Sequence, residues 1–114
     1  MDLLARLFPK PSPSASHELV NAAMKLSLEW GADFGKPIQA RLMKMFPEVT
    51  QAQADELEEL CKQIKRFSFD LYFQVPAGKM TDSGVQAKIR EHYPFLSHEV
   101  VQRISVQGMY YAHK

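Results

Sequence analysis

Cysteine occurs once, at Cys61, so no internal disulfide framework can staple this chain, and a reducing compartment suits it. No apolar run approaches the roughly 20 residues needed to span a bilayer. Charge of one sign is missing as well: 14 Lys and Arg face 13 Asp and Glu, a formal net charge of +1. Such a balance gives no overall field to steer nucleic acid or an anionic membrane. The opening MDLLARLF places an acid at position 2 and stops at Pro9, so it lacks the charged start and long apolar stretch of a signal peptide. The expectation is a cytoplasmic, soluble protein without a membrane partner. No Gly-rich phosphate loop is present. Only FSFDLYF at 67–73 alternates like a strand, and the apolar face of Leu57 to Ile64 runs into it at helical spacing.

What the chain does have is an internal echo. IQARLMKMFPEVT at 38–50 and VQAKIREHYPFLS at 85–97 align at a spacing of 47 residues. Gln39/Gln86, Ala40/Ala87 and Pro47/Pro94 are identical, and Ile38/Val85, Leu42/Ile89, Phe46/Tyr93, Val49/Leu96 and Thr50/Ser97 are like for like. A fixed-period match points to one supersecondary unit used twice: helix, aromatic–Pro corner, hydroxyl cap, helix. The predicted fold is therefore all-α, about five helices plus a short N-terminal one, with the duplicated units at 37–60 and 84–108. At 114 residues and 46% apolar content, one helical domain over 16–114 can bury a single core.

Along the chain, Leu3, Leu4, Leu7 and Phe8 predict a short amphipathic turn at 2–8. PKPSPS then reads as an extended polyproline linker ending near residue 15. Ser16 is a good N-cap for a helix running to Phe34, with Leu19, Ala22, Ala23, Leu26 and Trp30 on one face and Val20, Met24 and Leu28 on a second. Gly35 and Pro37 separate it from a helix over 37–46. Thr50 and Gln53 form a capping box for the longest helix. On that helix Glu58 and Lys62 make an i, i+4 pair. Helices near 82–92 and 97–113 complete the chain, the last capped by Ser97. Trp30, Phe46, Phe67, Phe69, Phe73 and Tyr93 are the expected core aromatics.

The chemistry-bearing residues read blandly. His92 and His98 flank the second corner six residues apart, which is neither one helical face nor a tight hairpin, so they make no metal site. Cys61 sits on an apolar face, where free cysteine behaves as a small hydrophobe. Asp55, Glu56, Glu58 and Glu59 lie near a helix N-terminus, where acids stabilise the dipole. No catalytic residue, metal ligand or cofactor site emerges, and no cofactor is expected. Gly108 interrupts the last helix at a cost of about 1 kcal/mol relative to alanine, which implies a close helix–helix approach.

Met45-Phe46-Pro47, with Val49, Thr50, Leu57 and Leu60 beyond it, resembles the Met-Phe-Pro corner of CUE domains, which implies ubiquitin recognition by the corner and a C-terminal leucine pair. The resemblance covers about residues 38–60. It departs where the helix runs on through Gln63, Ile64 and Phe67, and where His92-Tyr93-Pro94 replaces the triplet, so the corner is read as a helix-end device.

The function expected is a non-enzymatic protein-interaction or adaptor module, acting on a protein partner or by self-association. Its candidate contacts are Leu3, Leu4, Leu7 and Phe8 at one end and Met109, Tyr110 and Tyr111 at the other. The first alternative is a helical nucleic-acid-binding protein using Lys88, Arg90, Gln102 and Arg103 of the second unit. A second is an enzyme whose residues assemble only in three dimensions.

Overall fold

A computed structural model describes residues 13–114, with side chains from His17 onward. All regular structure in it is helical. The elements are α1 (Pro13–Ser27), a 3-10 turn (Gly31–Asp33), α2 (Gln39–Met45), α3 (Gln51–Tyr72), α4 (Asp82–His92) and α5 (His98–Ala112). No strand occurs among the described residues, and FSFDLYF is helical to Tyr72. The predicted turn at 2–8, and with it Leu3, Leu4, Leu7 and Phe8, lies outside the described residues.

The helices divide into two compact units, one ending at Cys61 and the other running from Lys62 to Lys114. Helix α3 is continuous across that boundary and contributes to both.

In the first unit, α1 begins at Pro13 rather than after a Ser16 cap. Proline suits a first helical position, because its fixed φ is already helical and its missing N–H would be unpaired there anyway. The same helix stops at Ser27, seven residues short of the predicted Phe34. The interruption is Gly31, whose φ of +84° reverses the chain into a 3-10 turn. The buried face of α1 is Leu19, Val20, Ala23, Met24 and Leu28, which takes all of the second predicted stripe and Leu19 and Ala23 of the first. It shares its unit with Ile38, Leu42, Ala54 and Leu57, all buried.

The acids at the start of α3 have specific work beyond the helix dipole. Glu58 Oε2 accepts from the Ile38 N–H at 3.0 Å, tying the start of α2 to α3. The sequence pairs Glu58 with Lys62; the structure turns it to the α2 N-cap, where an orphan backbone donor needs an acceptor. Asp55 Oδ1 accepts from Gln39 at 3.2 Å and from Gln51 at 2.9 Å.

The second unit packs α4 against α5 with the C-terminal half of α3. Its core is Ile64, Tyr72, Val85, Ile89, Val100, Val101 and Ile104. Burying each such side chain contributes roughly 1.5–3 kcal/mol. The expected aromatic core is a correction: Trp30 and Phe73 are exposed, and Phe46, Phe67, Phe69 and Tyr93 are only half-buried. Branched aliphatic residues and the ring of Tyr72 fill this core, and the rings named above lie at its margins or in solvent.

The two Pro corners follow the same backbone course. Phe46 has φ −129°, ψ 82° and Tyr93 has φ −128°, ψ 70°. Each donates its N–H back four residues, to Leu42 at 2.9 Å and to Ile89 at 2.8 Å. Each carbonyl then accepts from the residue three ahead, Val49 at 3.0 Å and Leu96 at 3.1 Å. Thr50 and Gln53 complete a reciprocal capping box at 3.0 and 3.1 Å. Ser97 Oγ accepts from the Val100 N–H at 3.2 Å. These are local devices, set by a proline stop followed by a hydroxyl.

Candidate functional site

The polar centre of the second unit is built around a single carboxylate oxygen. Asp82 stands first in α4, directly after the Thr81 cap, whose Oγ1 accepts from the Gly84 N–H at 3.1 Å. Asp82 Oδ1 accepts from the Tyr72 hydroxyl at 2.6 Å, the Ser105 hydroxyl at 2.9 Å and the Gln86 amide at 3.1 Å. One atom thus joins the end of α3, the start of α4 and the middle of α5. Burial opposes the Asp82 charge, but the hydrogen bonds from Tyr72, Gln86 and Ser105 together outweigh it and hold the carboxyl below its ordinary value. Burial pushes the Tyr72 hydroxyl well above the usual tyrosine range, reinforced by its bond to Asp82, so it remains a donor at any working pH.

The Tyr72 ring is fully buried and seated against Gly108. A Cβ at position 108 would lie 2.6 Å from the ring's Cγ and 2.9 Å from its Cε2, with Cδ2 nearer still. The close approach expected at Gly108 is therefore made by the Tyr72 ring of α3 against the α5 backbone. Sequence reasoning did not single out Asp82, Tyr72 or Ser105 as a cluster. The available signal was Ser105, a hydroxyl between Ile104 and Gly108 on an apolar face, where a buried polar group must find a partner.

The polar network runs outward from Gln86. Its Oε1 accepts from Gln102 at 2.9 Å and from Arg90 at 3.4 Å, and Arg90 Nη2 lies 3.3 Å from His98 Nδ1. Of the four residues considered for nucleic acid, Arg90 and Gln102 therefore converge on one acceptor. Arg103 is paired with Glu99 at 3.3 Å. Lys88 lies apart from them, with Phe67, Leu71, Glu91 and His92, around an open groove of about 380 Å³. In that groove His92 stacks on Phe67 at 4.4 Å between ring centroids, and Tyr93 meets Phe67 edge-on at 5.4 Å.

The C-terminal end of the second unit carries an aromatic surface. Phe69 meets Tyr111 at 5.7 Å, and Tyr111 meets Tyr110 at 5.4 Å. Phe73 follows Phe69 by one turn, and Val106 precedes Tyr110 by one turn, so each pair shares a face. Phe73, Val106 and Tyr110 are 56%, 61% and 53% exposed, and Met109 and Tyr111 are half-buried beside them. The structure thus brings Tyr110 and Tyr111 together with Phe69.

The first unit carries a second exposed aromatic feature. Trp30 and Phe34 stack in parallel, centroids 5.3 Å apart and planes within 2°, and are 49% and 46% exposed. Their turn is closed by Phe34 N–H to Gly31 O at 3.1 Å and by Gly35 at φ +76°. Arg41 fastens it to α2 by donating to the Lys36 and Pro37 carbonyls at 3.2 Å each and pairing with Glu29 at 3.3 Å. At the first Pro corner, Met45 is exposed and Phe46 half-buried.

Cys61 is buried. Among the described residues no group of three His, Cys, Asp or Glu could hold a metal ion, and no helix is long and apolar enough to cross a membrane. Compared with protein-family models, curated proteins and solved structures, the chain has no match.

Proposed function

We propose that this chain is a non-enzymatic protein-interaction module whose docking face is the aromatic end of the second unit. The observation that carries the reading is the exposure of Tyr110 and of Val106 one turn before it, beside the Phe69–Tyr111–Tyr110 ring cluster. Large apolar side chains gathered on one surface cost solubility, and aromatic and methionine side chains are what the buried centre of a protein interface favours. The polar cluster at Asp82 supports the same reading, because its three donors leave it a fastener of helices rather than a base awaiting a substrate.

The test compares wild type with Val106→Glu/Tyr110→Glu in affinity capture from native lysate, with and without nuclease. Both positions are exposed, so the variant keeps its helicity and melting temperature, within about 0.5 kcal/mol of stability. The expected result is a stoichiometric protein partner that survives nuclease and is lost from the variant. A partner retained by the variant removes this face from the reading. Co-purifying nucleic acid that takes the partners with it on digestion favours the alternative, in which Arg90 and Gln102, converging on Gln86, lie on the contacting surface.

A further inference from the structure

We propose that the Trp30–Phe34 stack is a docking platform for Pro9-Lys10-Pro11 of a second copy of this chain. The platform is built in advance. Its two rings are parallel and half exposed, its turn is shaped by two glycines at positive φ, and Arg41 ties that turn to α2. A preformed surface loses little freedom on binding, which is where association otherwise spends most of its energy.

The occupant follows from chemistry and from chain length. Prolines alternate at Pro9, Pro11 and Pro13. A proline-alternating strand is already extended, and its ring faces pack on flat aromatic surfaces. Charge matches as well. Asp33 lies in the turn between the two rings and is held only loosely, 3.9 Å from Lys36, with 43% of its side chain exposed. Lys10 is the residue between the two prolines that would meet it.

The copy's own segment falls short. Helix α1 carries the chain about 21 Å from Pro13 to Ser27 at its ordinary rise. Leu28 and Glu29 continue the helical course, bonding back to Met24 at 3.0 Å and Leu26 at 3.4 Å, so Trp30 is not folded back toward Pro13. Pro9 precedes Pro13 by four residues and reaches at most about 14 Å from it. A platform at one end of α1 and a strand at the other can meet only between copies, and a reciprocal exchange closes a twofold dimer.

Trp30 is the only tryptophan in the chain, so its emission reports the platform directly. A synthetic peptide of residues 6–14 is titrated into the full chain while that emission is followed, and sedimentation of the full chain is measured over a concentration series. The expected result is a saturable blue shift within about 1 mM peptide. The peptide with Pro9→Ala/Pro11→Ala binds at least about tenfold more weakly, a difference of roughly 1.4 kcal/mol. Asp33→Lys weakens the native peptide and restores binding of the Lys10→Glu peptide. The full chain dimerises with concentration, and the Pro9→Ala/Pro11→Ala chain does not. An unchanged emission, or an equal response to the alanine peptide, overturns the proposal. So does a shift produced by oligothymidylate alone, which would make the stack a nucleobase platform. Peptide binding by a chain that stays monomeric overturns the second copy as occupant.

Discussion

Position 108 sets packing against propensity. Alanine is the better helix former by about 1 kcal/mol. Yet its Cβ would enter the buried Tyr72 ring, which has no solvent side to move toward. Overpacking of this kind costs about 1–3 kcal/mol, so Gly108→Ala is expected to lower stability by up to about 2 kcal/mol net in urea denaturation; a more stable variant would show that the ring is not confined. Asp82 carries a pH signature. Its folded pKa is depressed, so its contribution is present above the ordinary value of 3.8 and is lost as pH falls below it. Melting temperature should therefore drop below about pH 4 in the wild type and drop less steeply in Asp82→Asn; parallel curves would remove the three-donor account. Phe67 was read as a central core residue. Half-buried, stacked on His92 and met edge-on by Tyr93, it should cost about 3 kcal/mol in urea denaturation on replacement by alanine, the low end for a large aromatic.

Among the elements, the legible ones were those decided locally. Pro47 and Pro94 stop the helices before them, and the hydroxyls three residues later, Thr50 and Ser97, open the next, so both corners and the starts of α3 and α5 could be placed from the residues alone. Thr50→Ala should accordingly cost about 1 kcal/mol, measured by thermal unfolding, through loss of the bond to the Gln53 N–H. The end of α1 was harder. Gly31 stands between Trp30 and Phe34, both apolar and in helical phase, and the apolar rhythm runs through it; glycine takes its positive φ at no steric cost, but nothing in the spacing marks it as a stop. The buried face of α1 lies within the two predicted stripes but leaves out Ala22, Leu26 and Trp30 of the first. Two stripes, one through Leu26 and Trp30 and one through Val20, Met24 and Leu28, are equally apolar, and only the neighbouring helices choose between them. The Asp82 centre joins residues 72, 82 and 105, whose convergence no local pattern encodes.

At the scale of the molecule, α3 is the common member of two compact units and crosses from one to the other between Cys61 and Lys62. Lys62 is exposed, so Lys62→Pro removes no buried contact while breaking the helix at the crossing, at about 3 kcal/mol. In the wild type, Trp30 fluorescence in the first unit and far-UV ellipticity from all the helices should report one coincident urea transition. In Lys62→Pro they should separate. Coincident transitions in the variant would mean that the units do not depend on the continuity of this helix.

The seat of Tyr72 on Gly108 also constrains the order in which this chain can change. A larger residue at 108 is tolerated only after the ring at 72 has shrunk, and losing that ring removes the hydroxyl from Asp82. Three positions far apart in the gene therefore form one unit of inheritance. Lineages with a larger residue at 108 should be found to carry a smaller one at 72 and, with the hydroxyl gone, a changed partner for Asp82.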